Sequence, residues 1–309
     1  MMILKKNSEA MIRGMCLVLS MLAYTTQANE STQEHESISV KQINQTIVDH
    51  AHWSPDQEYF AVSSNFSGHW QIYKLHRKTG AMSRLIYTNT NADFPVFSPD
   101  GKQIVFGIEE GDTSNIWLVN ADGSKLRQLT NSQGKQNIHP FWSADGKQLL
   151  FNSNRKNKDG FALYSMNADG SNQTLLSDPD EMRTFASWSP DGKKILFVKW
   201  WNDWKNRDVY VMNSDGSNEI NLSRNVEAKD GWPTWFPDGK SVVFASDRGG
   251  HYQIYSANID GSGVKKLIDS PHSDVRAFVS PDGQWISFDR GVGTSRDIYT
   301  YRLKGAPKI

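Results

Sequence analysis

Cysteine is nearly absent: the 309 residues contain one, Cys16. Nothing downstream of it offers a thiol or a disulfide, which excludes thiol chemistry and a cross-linked scaffold there. A dominant charge is missing too, with 34 basic residues against 34 acidic ones. That balance leaves no electrostatic footprint for nucleic acid. No Gly-x-Ser-x-Gly nucleophile elbow occurs, which argues against a serine hydrolase.

The run from Met15 to Tyr24 covers ten residues, well short of the roughly 20 a membrane helix needs. It follows Lys5, Lys6 and Arg13 and precedes the small-residue stretch Thr26-Gln27-Ala28. This pattern predicts a secretory signal peptide over 1–28 and a periplasmic location. Cys16 would leave with it, and Arg13, three places earlier, does not suit a lipoprotein anchor. Cleavage would leave 31 basic and 33 acidic residues. A short N-terminal segment, 29–37, would then precede the folded part.

Against these absences stands a repeat. Six related motifs run down the chain: Trp53-Ser-Pro-Asp56, Phe97-Ser-Pro-Asp-Gly101, Trp142-Ser-Ala-Asp-Gly146, Trp188-Ser-Pro-Asp-Gly192, Trp235-Phe-Pro-Asp-Gly239 and Val279-Ser-Pro-Asp-Gly283. Their first residues are 44, 45, 46, 47 and 44 positions apart. A period of about 40–50 residues marks a propeller or solenoid, in which each unit buries its apolar face only by stacking on its neighbours.

One repeat spells out a blade. Pro237-Asp238-Gly239 is a tight turn, Ser241–Ala245 is β-branched and aromatic, and Gln253–Ser256 is a second such run. Asn258-Ile-Asp-Gly261 turns the chain again, and Lys265–Ile268 makes another short strand. With the strand ending at Trp235, that gives four antiparallel strands. The turn aspartates read as local caps, since nothing beyond the turns supplies the oxygen ligands of a calcium site.

The sixth repeat stops after Asp297-Ile-Tyr-Thr-Tyr301, eight residues from the end, and so lacks its fourth strand. Ile38–Ile43, ahead of the first motif, is a strand without a blade. Placing it as the outer strand of the last blade removes an open sheet edge. The expected fold is therefore all-β: a six-bladed β-propeller over 38–305, with four-stranded blades closed by the N-terminal strand, and a tail at 306–309.

The topology also places candidate site residues. Three positions before each motif lie His50, Phe94, His139, Phe185, Trp232 and Arg276, one per blade near the start of each inner strand. His50, His139 and Arg276 could converge on an anionic group, with Phe94, Phe185 and Trp232 as its walls or as plain packing residues. A metal reading of His50 and His139, with His52 and His272 nearby, fits no compact ligand spacing. No metal and no cofactor are expected.

The segment Val198–Lys205 reads as a loop between the second and third strands of blade four, on the channel-mouth face. It carries Trp200, Trp201 and Trp204. One of the three ends its strand; the others cover neighbouring blades, meet a partner or stack on a sugar. Beside it, Asn152–Asp159 is basic, and Glu109–Asp112 across the ring is acidic. Such charges either polarise a rim or are simply solvated.

The full pattern (aromatic-Ser-Pro-Asp-Gly-Lys, a strand, Ser-Asp-Arg, an Ile-Tyr strand, Asn-x-Asp-Gly-Ser and a Leu-Thr ending) resembles the TolB-type propeller family over about residues 38–303. The same blades occur in periplasmic TolB proteins, prolyl-peptidase propeller domains and oligogalacturonate lyases, so the resemblance specifies fold more closely than function. About ten residues separate the expected cleavage site from the first strand, so the likeness reaches the propeller half of TolB and not its α/β domain. It implies docking of an envelope protein or peptide, such as a peptidoglycan-associated lipoprotein. The leading expectation is a non-catalytic adaptor that binds through the channel mouth. The alternative is an oligosaccharide binder or polysaccharide-lyase-like enzyme that uses the channel histidines, with or without a metal.

Overall fold

The computed structural model describes residues 35–37, 48–157, 160–201, 205–225, 227–292 and 295–303. Every regular element among them is a strand, and the strands form six four-stranded antiparallel sheets. Blade one is built from Val48–Trp53, Tyr59–Ser64, Gln71–His76 and Met82–Arg84. The next four repeat that order, with inner strands Ala92–Phe97, Asn137–Trp142, Arg183–Trp188 and Asp230–Trp235. Blade six takes Ser273–Val279, Trp285–Val292 and Ser295–Arg302 from the end of the chain. Its fourth strand is His35–Ser37, paired in the register His35↔Tyr301 and Ser37↔Tyr299. The N-terminal strand therefore closes the ring, but it lies just before the apolar run Ile38–Ile43, which falls outside the described residues. So do the expected signal peptide, the tail and Trp204.

The motif residues act as joints. Ser98 Oγ donates to Asp100 Oδ1 at 2.6 Å and accepts the Gln103 N–H at 2.9 Å, and blades one, three, four and six repeat the pair. Asp122, Asp169, Asp215 and Asp260 likewise accept the N–H two residues on. These carboxylates are turn caps. The indole N–H of Trp142 reaches Val96 O, and that of Trp235 reaches Ser187 O, each on the preceding blade's inner strand. Trp53 makes the same bond across the closure, to Phe278 O at 3.0 Å. Gly170 sits at a seam of this kind: its φ is +93°, and a Cβ there would stand 2.7 Å from Leu129 O of the blade before.

The core lies within and between the sheets. Phe106, Phe151, Phe197, Phe244 and Phe288 are fully buried at equivalent points of their second strands, and Val62 takes that place in blade one. Phe151, Phe244 and Phe288 stack on Tyr164, Tyr255 and Tyr299. Arg155, Arg248 and Arg290 fold over those pairs at 4.7–5.5 Å. The same arginines bond back to Asn137, Asp230 and Asp274 at the start of the inner strand. That is the physical content of the Ser-Asp-Arg signature. It also revises the basic rim expected at 152–159, because Arg155 is spent inside its own blade.

Candidate channel-mouth site

Each inner strand carries a bulge at the same place. The pairing register shifts between Asp49 and His52, Asp93 and Val96, Ile138 and Phe141, Thr184 and Ser187, Gly231 and Thr234, and Val275 and Phe278. The first residue inside every bulge has positive φ: His50 56°, Phe94 58°, His139 52°, Phe185 54°, Trp232 50° and Arg276 52°. Non-glycine residues rarely adopt this left-handed conformation, and repeating it six times costs on the order of 1 kcal/mol or more per site. The bulge turns each of these side chains into the channel, where all six line one cavity.

They close the channel as a ring. His50 packs edge-on against Phe94 at 4.2 Å, and Phe94 against His139 at 4.3 Å. His139 stacks on Phe185 at 4.0 Å, and Phe185 leans on Trp232 at 6.0 Å. The Arg276 guanidinium lies 5.8 Å over the Trp232 ring, a cation–π contact. The room left is about 60 Å3. Below the plug the channel widens to about 340 Å3, walled mainly by the motif aromatics and prolines. His52 lies in that lower chamber, where burial pushes its imidazole down to about 4.

A buried charge cluster backs the ring. His50 Nδ1 donates to Asp49 Oδ1 at 2.8 Å and lies 3.2 Å from Asp93 Oδ1. Arg276 Nη1 bridges Asp49 and Asp289 at 3.1 and 3.0 Å, and Ser63 donates to Asp93. Burial and the Arg276 charge push His50 down, but Asp93 and Asp49 outweigh them and raise it to about 9. Burial would push Asp93 up, yet His50 and Ser63 hold it down at about 2. Burial, helped by Asp49, takes Asp289 up to about 6. His139 is lowered to about 3 by burial and then by the His50 charge. The ring therefore holds one imidazolium and one neutral imidazole. Phe94 stands against both, so the paired-histidine metal arrangement does not form. Among the described residues Asp49, His50 and Asp93 do bring ligand-type atoms within 4.8 Å of one another, but those atoms already pair with each other and with Arg276.

The His50 ion pairs have a consequence in alkali. A histidine raised in the folded state adds stability that is complete below 6.5 and is lost as the pH climbs through about 9. Thermal melts across that window should show stability falling by about 3 kcal/mol at most. A His50→Phe variant should lack this slope. An equal slope in that variant would mean that His50 is not the group.

On the rim, Trp200 and Trp201 extend the second strand of blade four rather than forming a loop. That strand runs Lys194–Trp201 and pairs Trp200 with Arg207 and Trp201 with Asn206. Trp is a good strand residue, and a cation holds it there. Arg207 lies 4.7 Å over Trp200 and 4.6 Å over Trp232, while Trp200 Nε1 donates to Thr184 Oγ1 at 2.8 Å. Trp200 thus joins the rim to the ring, and half-buried Trp201 stands at the hairpin's end. On blade one, at the far side of the same face, Phe66 and Tyr87 are 53% and 78% exposed.

Sequence spacing alone picks out the six ring residues; Trp200 and Trp201 stand out as tryptophans, but the loop expected there is strand. It misses Arg207, the buried carboxylates Asp49 and Asp289, the half-buried Asp93, and the exposed pair Phe66 and Tyr87. An acidic residue directly before His50 and Phe94 was the available signal, since aspartate is depleted in strands.

The family model described as the TolB beta propeller domain matches residues 89–206 and 201–307. A Tol-Pal system protein TolB from Francisella tularensis subsp. mediasiatica is 27% identical over 241 residues, covering 76% of this chain and 44% of its own length. The chain thus spans less than half of the curated relatives it matches. Among solved structures, a putative TolB from Agrobacterium tumefaciens superposes with a TM-score of 0.64 at 22% identity, over 83% of this chain and 90% of the other. An oligogalacturonate lyase in complex with manganese gives 0.62 at 14% identity, over 84% and 91%. At such identities the structures speak for the fold alone.

Proposed function

The chain belongs to the TolB β-propeller domain family, and from that premise we propose that it is a periplasmic adaptor that docks an envelope protein or peptide on its channel-mouth face. The observation that carries this reading is the belt Trp200–Arg207–Trp232–Arg276, which runs unbroken from the rim to the channel centre. Aromatic and arginine side chains of this kind supply most hot-spot energy in protein interfaces. The ring beneath them plugs the channel and forms a floor with little room among its side chains. An oligosaccharide threaded into the channel would need far more than about 60 Å3. The relatives carry Tol-Pal system names, so the partner to try first is a peptidoglycan-associated lipoprotein. No helix among the described residues is long and apolar enough to cross a membrane.

Titration calorimetry with the purified lipoprotein of the same organism tests the reading. Trp201→Ala should weaken binding by about 2 kcal/mol, roughly 30-fold, with the melting temperature unchanged. Leu126→Ala, on the outer side of blade two, should leave it intact. Equal binding by both variants would place the interface elsewhere.

A further inference from the structure

The ring cavity contains a donor with nothing to donate to among the described residues. His50 is 4% exposed, and its Nδ1 is taken by Asp49 and Asp93. Its other ring nitrogen, Nε2, is buried in a cavity-lining side chain and has no partner among the described residues. Arg276 Nε, also buried, is in the same position although Arg276 Nη1 holds two carboxylates. An imidazolium and a guanidinium cannot accept hydrogen bonds, so both orphan atoms are obligate donors. Buried polar groups are almost always satisfied, and an unmet pair in one cavity asks for an acceptor.

We propose that the cavity is a carboxylate-anchoring subsite, in which His50 Nε2 and Arg276 Nε receive an acidic group of the peptide docked on the mouth face. Size and wall chemistry narrow the choice. About 60 Å3 accepts a carboxylate or a few waters and excludes an aromatic side chain or a pyranose. Phe94, Phe185 and Trp232 shield the spot from solvent, which strengthens a charge-assisted hydrogen bond. The carboxylates Asp49, Asp93 and Asp289 hold the two cations in place, and Arg296, 3.7 Å from Asp49, brings the cluster to three cations against three carboxylates. The inference rests on the mouth-face reading for its source of ligand, but the subsite itself can be probed without any partner protein.

The probe is acetate, with acetamide as its neutral isostere, followed by 15N spectra of the imidazole nitrogens. Acetate should shift the His50 Nε2 signal to saturation and bind at least about tenfold more tightly than acetamide. His50→Gln should abolish the saturable phase, and Arg276→Lys, which keeps the charge, should weaken it severalfold. Short peptides extend the test: a free C-terminus against its amide, and a glutamate side chain against glutamine, report which carboxylate is taken. Shifts that stay linear, or that acetamide reproduces, would mean the nitrogens are satisfied by water only and would overturn the subsite. Acetate binding without lipoprotein binding would sink the adaptor reading and leave the subsite standing. The reverse result would sink the subsite alone.

Discussion

A chain that begins at residue 38 melts well below one that begins at residue 35. Among the described residues His35–Ser37 form the outer strand of blade six. Without them Tyr299–Tyr301 presents an unpaired edge, and the ring is held at one seam by the inner-strand contacts of blades one and six. Trp53 Nε1 to Phe278 O, Ser287 Oγ to Ala51 O and the His50 N–H to Asp289 Oδ2 are hydrogen bonds left there between side chain and backbone. Losing two or three backbone hydrogen bonds at about 0.5–1.5 kcal/mol each gives about 1–4 kcal/mol. For a chain of this size that is a drop of roughly 2–10 °C. The exposed edge should also make the shorter chain aggregate on heating. Differential scanning calorimetry of the two chains decides the matter; equal melting temperatures would mean that the ring closes without the strand.

The second large effect is expected at Asp49, which is 4% exposed and touches three cations. One carboxylate oxygen takes His50 Nδ1, and the other faces Arg276 at 3.1 Å and Arg296 at 3.7 Å. Asp49→Ala removes the anion and leaves the cations where they are. Breaking a buried pair from one side costs about 3–5 kcal/mol, because the partner keeps its desolvation penalty. Asp122→Ala, in a fully exposed turn, is the control and should lose far less. Urea denaturation with unchanged slope would read the difference directly. A loss at Asp49 no greater than the turn control would show that Asp93 and Asp289 carry the cluster unaided.

The repeat makes the architecture legible because six related turn motifs, four of them Pro-Asp-Gly, recur at nearly constant spacing, and a blade needs a turn at each of those points. The ring was legible for the same reason, as a position counted back from each motif. Its cause was not. The bulge residues are His, Phe, Trp and Arg, so no glycine announces their left-handed backbone. Ile38–Ile43 is the expected closing strand because it reads as a strand without a blade while the last blade lacks its fourth. The actual outer strand, His-Glu-Ser, carries no apolar residue and so leaves no strand pattern. Arg155 reads as part of a basic rim segment or a solvated loop, since a sequence does not show that a Phe–Tyr stack and an inner-strand acceptor lie within its reach. Asp289 reaches His50 across 239 positions, a pairing that only ring closure creates.

The central claim, that a partner lands on the mouth face over the ring, is tested most directly by hydrogen exchange of the lipoprotein complex against the free propeller. Protection should appear at the starts of the inner strands around His50, Trp232 and Arg276 and along the blade-four hairpin near Trp201. The Pro-Asp-Gly turns at the other end of the channel should exchange as before. Protection confined to those turns or to the outer strands would contradict the account.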